Sequence, residues 1–152
     1  MGLSQTPKAL VPASIASLTN WTAFTPTWNN LTVGNAGQEA RYTQIGSTVF
    51  FWVKLELGST SSVSTEPRMN FPIQARSTAA GQCALLNYCF LDNGVARNFG
   101  ISDGLVNSQT TFRLHVFNAS STYLNSSQIT STVPFTWTSG DIIHIQGSYE
   151  VA

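Results

Sequence analysis

The stretch from residue 49 to residue 57 constrains the fold more than any other part of the chain. Val49, Phe51, Val53, Leu55 and Leu57 alternate there with Phe50, Trp52, Lys54 and Glu56, so one side of the segment is uniformly aliphatic or aromatic. A period of two belongs to a β-strand, whose side chains point to opposite faces in turn. The same grammar recurs over residues 111–117, where Phe112, Leu114 and Val116 face one way and Arg113, His115 and Phe117 the other. It recurs again after Asp141, with Ile143, Ile145, Gly147, Tyr149 and Val151 opposite Ile142, His144, Gln146, Ser148 and Glu150. Turn-forming clusters separate these runs: Gly34-Asn35-Ala36-Gly37, Asp92-Asn93-Gly94, Ser102-Asp103-Gly104 and Ser139-Gly140-Asp141. Each offers residues that tolerate positive φ. No window supports a helix longer than two turns. Short strands between regularly spaced turns predict an all-β fold, an antiparallel jelly-roll-like β-sandwich.

Charge narrows the function. Only 9% of the 152 residues are charged, and seven Lys plus Arg balance seven Asp plus Glu. A typical soluble domain carries about 25% charged residues. A neutral chain has no long-range field to gather nucleic acid or an anionic membrane, so neither is expected as a partner. No apolar run approaches the ~20 residues of a membrane helix. Low charge is a liability for a free monomer and less so for a protein packed in an assembly. Phe50 and Trp52 bear on the same point. They begin the face that should meet solvent, where together they would expose an apolar patch. Either a second layer of core covers them, or they form a subunit interface.

Residues that carry chemistry are sparse. Cys83 and Cys89 lie six positions apart, on one side of a continuous strand. At ~3.3 Å per residue that separates them by roughly 20 Å, well beyond the ~7 Å limit for bridged Cα atoms. Unless a turn falls near Asn87, both remain thiols. His115 and His144 share no close paired spacing with these cysteines, so no metal and no cofactor is expected. The carboxylates are scattered singly. Glu56 with Glu150 is a pair that a β-sandwich could in principle bring together for glycoside hydrolysis, and solvated strand charges are the simpler account. The glycines mark turns rather than a phosphate cradle. We therefore read the chain as non-enzymatic. Aromatic side chains remain as candidates for binding, since Trp and Tyr stack on sugar rings. Trp28 and Trp137 stand at strand starts and are read as core. Trp21, Trp52 and Tyr123 are expected to be exposed, with Trp21 and Tyr123 the candidate carbohydrate contacts. Tyr123 lies in a polar stretch, residues 118–127, with the composition of a surface loop.

The first twenty residues differ from the rest. Lys8 precedes a short apolar run, residues 9–16, that loosely imitates a secretion signal but is broken by Pro12. The segment lacks both strand and helix periodicity, and we read residues 1–20 as an extended arm before a domain at 21–152. Leu10, Val11 and Ile15 are its candidate anchors on a partner surface. No heptads or internal repeats supply a fibre shaft.

Two segments carry a family likeness. Thr25-Pro26-Thr27-Trp28, Leu31-Thr32-Val33-Gly34-Asn35 and Ala40-Arg41-Tyr42 open the domain, and Gly46 and Val49 follow them. Pro134-Phe135-Thr136-Trp137, Gly140-Asp141-Ile142-Ile143 and Gly147-Ser148-Tyr149-Glu150 close it. Over residues 21–57 and 133–152 the chain resembles β-sandwich domains on virion surface proteins of tailed bacteriophages, both capsid decoration proteins and tail-fibre tips. The resemblance implies a virion structural protein, made in the host cytoplasm and located on the outer surface of the particle. It also implies a homotrimer, with Phe50 and Trp52 between subunits. Because the chain is one small domain plus an arm, a capsid decoration (cement) protein on the head is the first expectation. Its partners would be the major capsid protein or other virion proteins, gripped through Leu10, Val11 and Ile15. The alternative is a tail-tip or tail-fibre module that binds host cell-wall carbohydrate, a host surface glycan.

Overall fold

A computed structural model of the chain describes residues 20–76, 85–102, 109–120 and 122–151. Among these residues every regular element is a β-strand. In chain order they are β1 (Thr22–Ala23), β2 (Trp28–Thr32), β3 (Gly37–Ile45), β4 (Thr48–Glu56), β5 (Ser62–Asn70) and β6 (Leu85–Asp92). They continue with β7 (Ala96–Ile101), β8 (Thr111–Arg113), β9 (His115–Asn118), β10 (Asn125–Gln128) and β11 (Ile142–Glu150). Every pairing is antiparallel. Six strands form one sheet in the order β1-β3-β4-β11-β6-β7; β2-β5-β8 form a second, and β9 and β10 a hairpin. The all-β class and the sandwich-like layering read from the sequence are present.

The alternation in β4 explains the larger sheet. Val49, Phe51, Val53 and Leu55 are buried, as are Leu86, Tyr88 and Phe90 of β6 and Ile143, Ile145 and Tyr149 of β11. These side chains meet those of the smaller sheet. Phe112 of β8 stands 5.8 Å from Phe51 and 6.3 Å from Tyr88, ring centre to ring centre, and Val63 and Met69 of β5 join the same cluster. Trp28 and Trp137 pack against this core, as the sequence predicts. Their indole N–H groups donate to Gln38 Oε1 and to the Thr130 carbonyl, which meets the requirement for a partner inside.

The two terminal motifs meet in space. β11, from the second motif, pairs along its length with β4, and β4 pairs with β3 of the first. The turn of each motif is held by the segment that follows β4. Gly34 has φ of 57°, and a Cβ there would lie 2.4 Å from the Thr60 carbonyl oxygen, so only glycine fits. Beside it Asn35 Oδ1 accepts from the Thr60 N–H and hydroxyl, both at 2.9 Å. In the second motif the buried Asp141 accepts from the backbone N–H groups of Asn93 and Thr138. Gly140 N–H donates to the Leu57 carbonyl, and Leu57 N–H to that of Asp141.

One strand expectation needs correction. Residues 111–117 do not form a continuous strand. The ladder breaks at Leu114: β8 pairs with β5, and β9 pairs with β10 while running beside β7. His115, assigned to the face opposite the core residues, is itself buried at this crossing. The approach is close, since a Cβ on Gly100 of β7 would fall 1.7 Å from the His115 carbonyl oxygen.

Candidate functional site

The outer face of the six-stranded sheet gathers the residues that core formation leaves over. Strand register sets a row across it: Ala23 opposite Arg41, Arg41 opposite Trp52, Trp52 opposite Gln146, and Gln146 opposite Asn87. One step along the strands lies the row Thr43, Phe50 and Ser148; one step the other way lie Glu39, Lys54, His144, Cys89 and Phe99. Four of the large apolar side chains left in water stand on this face: Trp21, Ile45, Phe50 and Phe99.

Their arrangement makes a shallow groove of about 770 Å³. Trp21 and Trp52 flank the Arg41 guanidinium, whose central carbon is 5.1 Å from one ring centre and 5.3 Å from the other. Such cation–π contacts hold the guanidinium in place. Thr43, Asn87, Gln146 and Ser148 supply polar atoms, and Phe50 and Ile45 an apolar end. Among the described residues no carboxylate lines the groove. On the other side of Trp52 a smaller depression of about 220 Å³ shares Trp52, Asn87 and Gln146 with the first and continues to Cys89, His144 and Phe99. Trp52 is thus a ridge between two hollows. His144 lies 6.1 Å from it, ring centre to ring centre. Burial against the sheet, and then the Lys54 ammonium, push the His144 imidazole below its ordinary range, so the side chain is neutral at pH 7.

The sequence candidates distribute unevenly. Phe50 is 41% exposed, Trp52 is half-buried, and both stand on the outer face as expected. Trp21, 47% exposed, joins Trp52 in the groove. Tyr123 is 81% exposed but is not among the residues lining the groove. Leu10, Val11 and Ile15, with Cys83, lie outside the described residues. Cys89 is a free thiol, and β6 runs through Asn87 without a turn. Glu56 and Glu150 are not neighbours. They sit opposite Ile142 and Thr48, at the two ends of the β4–β11 ladder, roughly 26 Å apart at ~3.3 Å per residue. Each pairs with a base instead, Glu56 with Lys54 and Glu150 with Arg76. Among the described residues no three His, Cys, Asp or Glu side chains cluster as metal ligands, and no helix is long and apolar enough to cross a membrane. Arg41, Asn87 and Gln146 were not singled out from the sequence, although the outward parity of Arg41 in the Ala-Arg-Tyr strand was there to be read. Comparison with protein families, with curated proteins and with solved structures finds no match to this chain.

Proposed function

We propose that this protein is a non-enzymatic structural component on the outer surface of a tailed-phage virion, serving there as a tail-tip or fibre-tip module that binds host surface carbohydrate. The virion location rests on the resemblance of the two terminal segments. The binding role rests on one observation: a groove that combines two indoles with a guanidinium, two amides and two hydroxyls. A sugar ring offers an apolar C–H face and a rim of hydroxyls. Indoles take the face, and Asn and Gln side chains donate and accept at once along the rim. Cleavage would need two carboxyl groups about 5–10 Å apart across the groove, and its lining favours holding a glycan over cutting one.

A second reading has its own support. Phe50 and Ile45 form an apolar end that a neighbouring subunit would cover, which suits a jelly-roll-like homotrimer decorating the capsid. The two readings part in solution. For the recognition module we expect the purified full chain to bind host cell walls, and Trp52→Ala to weaken that binding by at least about tenfold, equivalent to ~1.4 kcal/mol of lost contact. Light scattering that gives a trimer, disrupted by Phe50→Ser, together with capsid binding and no cell-wall binding, would move the assignment to decoration.

A further inference from the structure

We infer that the groove is selective for acidic saccharides, and that Arg41 is the residue that reads their anionic group, a carboxylate or a phosphate. The inference rests on the carbohydrate-binding reading above and adds the charge of the ligand. Arg68 and Arg113 both pair with Glu66, and Arg76 with Glu150. Arg41 and Arg97 differ: neither has a carboxylate partner among the described residues, and of the two only Arg41 lines the groove, where its guanidinium lies against the two indole faces. A guanidinium carries N–H donors along its edge in a fork that matches carboxylate and phosphate oxygens, and charge-assisted bonds of that kind are about twice as strong as neutral ones. A neutral ligand laid over Arg41 would strip water from the cation and return no opposite charge, whereas an anionic ligand satisfies it.

The shape adds that the ligand is a chain. The two hollows on either side of Trp52 share Asn87 and Gln146 and run across the strands from Trp21 to Phe99. Six strands lie along that path, and at ~4.8 Å apart they span about 24 Å, which is room for a short oligosaccharide draped over the Trp52 ridge. Arg41 lies on the Trp21 side of that ridge, so the acid group sits on one side and Phe99 and His144 meet the other end.

The test is calorimetric titration of the full chain with three probes: an oligogalacturonate, the same oligosaccharide with its carboxyls methyl-esterified, and a glycerol-phosphate polymer bearing sugar. We expect at least one anionic probe to bind about tenfold or more tighter than the ester, a preference of ~1.4 kcal/mol. That preference should shrink with added salt and collapse towards unity in Arg41→Gln. The tighter of the two anionic probes identifies carboxylate or phosphate as the group read. Salt dependence of the unaltered protein supplies the same answer should the variant fold poorly. Equal affinity for acid and ester forms overturns the selectivity while leaving the groove a saccharide site. No binding of any probe, with Trp52→Ala indistinguishable from the parent against host cell walls, overturns the carbohydrate reading itself.

Discussion

His144 is the titrating residue with the clearest consequence for stability. It is partly covered on the sheet and beside Lys54, so its folded form holds a proton less readily than the unfolded chain does. Stability rises with pH wherever the unfolded state binds more protons than the folded one. Above the ordinary histidine value near ~6.5 both states are neutral and His144 contributes no slope. As the pH falls below that value the unfolded chain takes up the proton first, and stability drops until the lower folded value is passed. Denaturant midpoints should therefore fall as the pH is lowered through about 6.5, and His144→Gln should remove part of that fall. An unchanged slope in the variant would show that the imidazole is as free to protonate in the sheet as in water. Tyr149 shows the opposite case of a buried polar group fully met. Its hydroxyl donates to the Ile73 carbonyl at 2.7 Å and accepts from the Ile73 N–H at 3.1 Å, and burial pushes its phenol above the ordinary range.

At the scale of elements, the β7–β9 crossing brings two backbones together too closely to admit a Cβ at Gly100. A methyl at Gly100 would collide with the backbone of His115, which cannot swing aside as a side chain can. Gly100→Ala should therefore push β9 and β10 away from the larger sheet. Hydrogen exchange would report this as lost protection at residues 115–118 and 125–128 with β4 and β11 still protected. Uniform protection would mean that the crossing relaxes at little cost. This crossing was not legible in the sequence. Phe112, Leu114 and Val116 stay buried on both sides of the break, so the alternation looks the same whether the strand continues or changes partner. β5 was equally hidden: Glu66, at φ of 59°, interrupts its alternation, and the β2 register shifts beside Asn30, at φ of 58°. β4 and β11 were legible because their long ladders bury one clean face each. For the groove, Trp21 and Trp52 announced themselves by type and parity. Arg41, Gln146 and Asn87 join them only through the register of β3, β4, β11 and β6, a long-range pairing that no local pattern encodes.

For the whole molecule the place of β11 matters most. It is the last of the described strands in sequence, yet it lies in the interior of the six-stranded sheet, paired with β4 on one side and β6 on the other. A chain stopped before residue 141 should fail to form a cooperative fold. A synthetic peptide of residues 141–151 supplied separately should restore it, read as recovered β-sheet circular dichroism and a single unfolding transition. The same peptide with Ile143 and Ile145 changed to Ser should not, because those side chains fill the core; rescue by both would place the driving force in backbone pairing alone. The order of synthesis and the order of the sheet thus run against each other. The β3–β4 and β6–β7 hairpins emerge first and present two sticky edges across an open seam, each a template for a stranger's strand. The seam closes only when the rightful strand arrives, non-local pairing of this kind slows folding, and the most hazardous moment is the interval before β11 slides home.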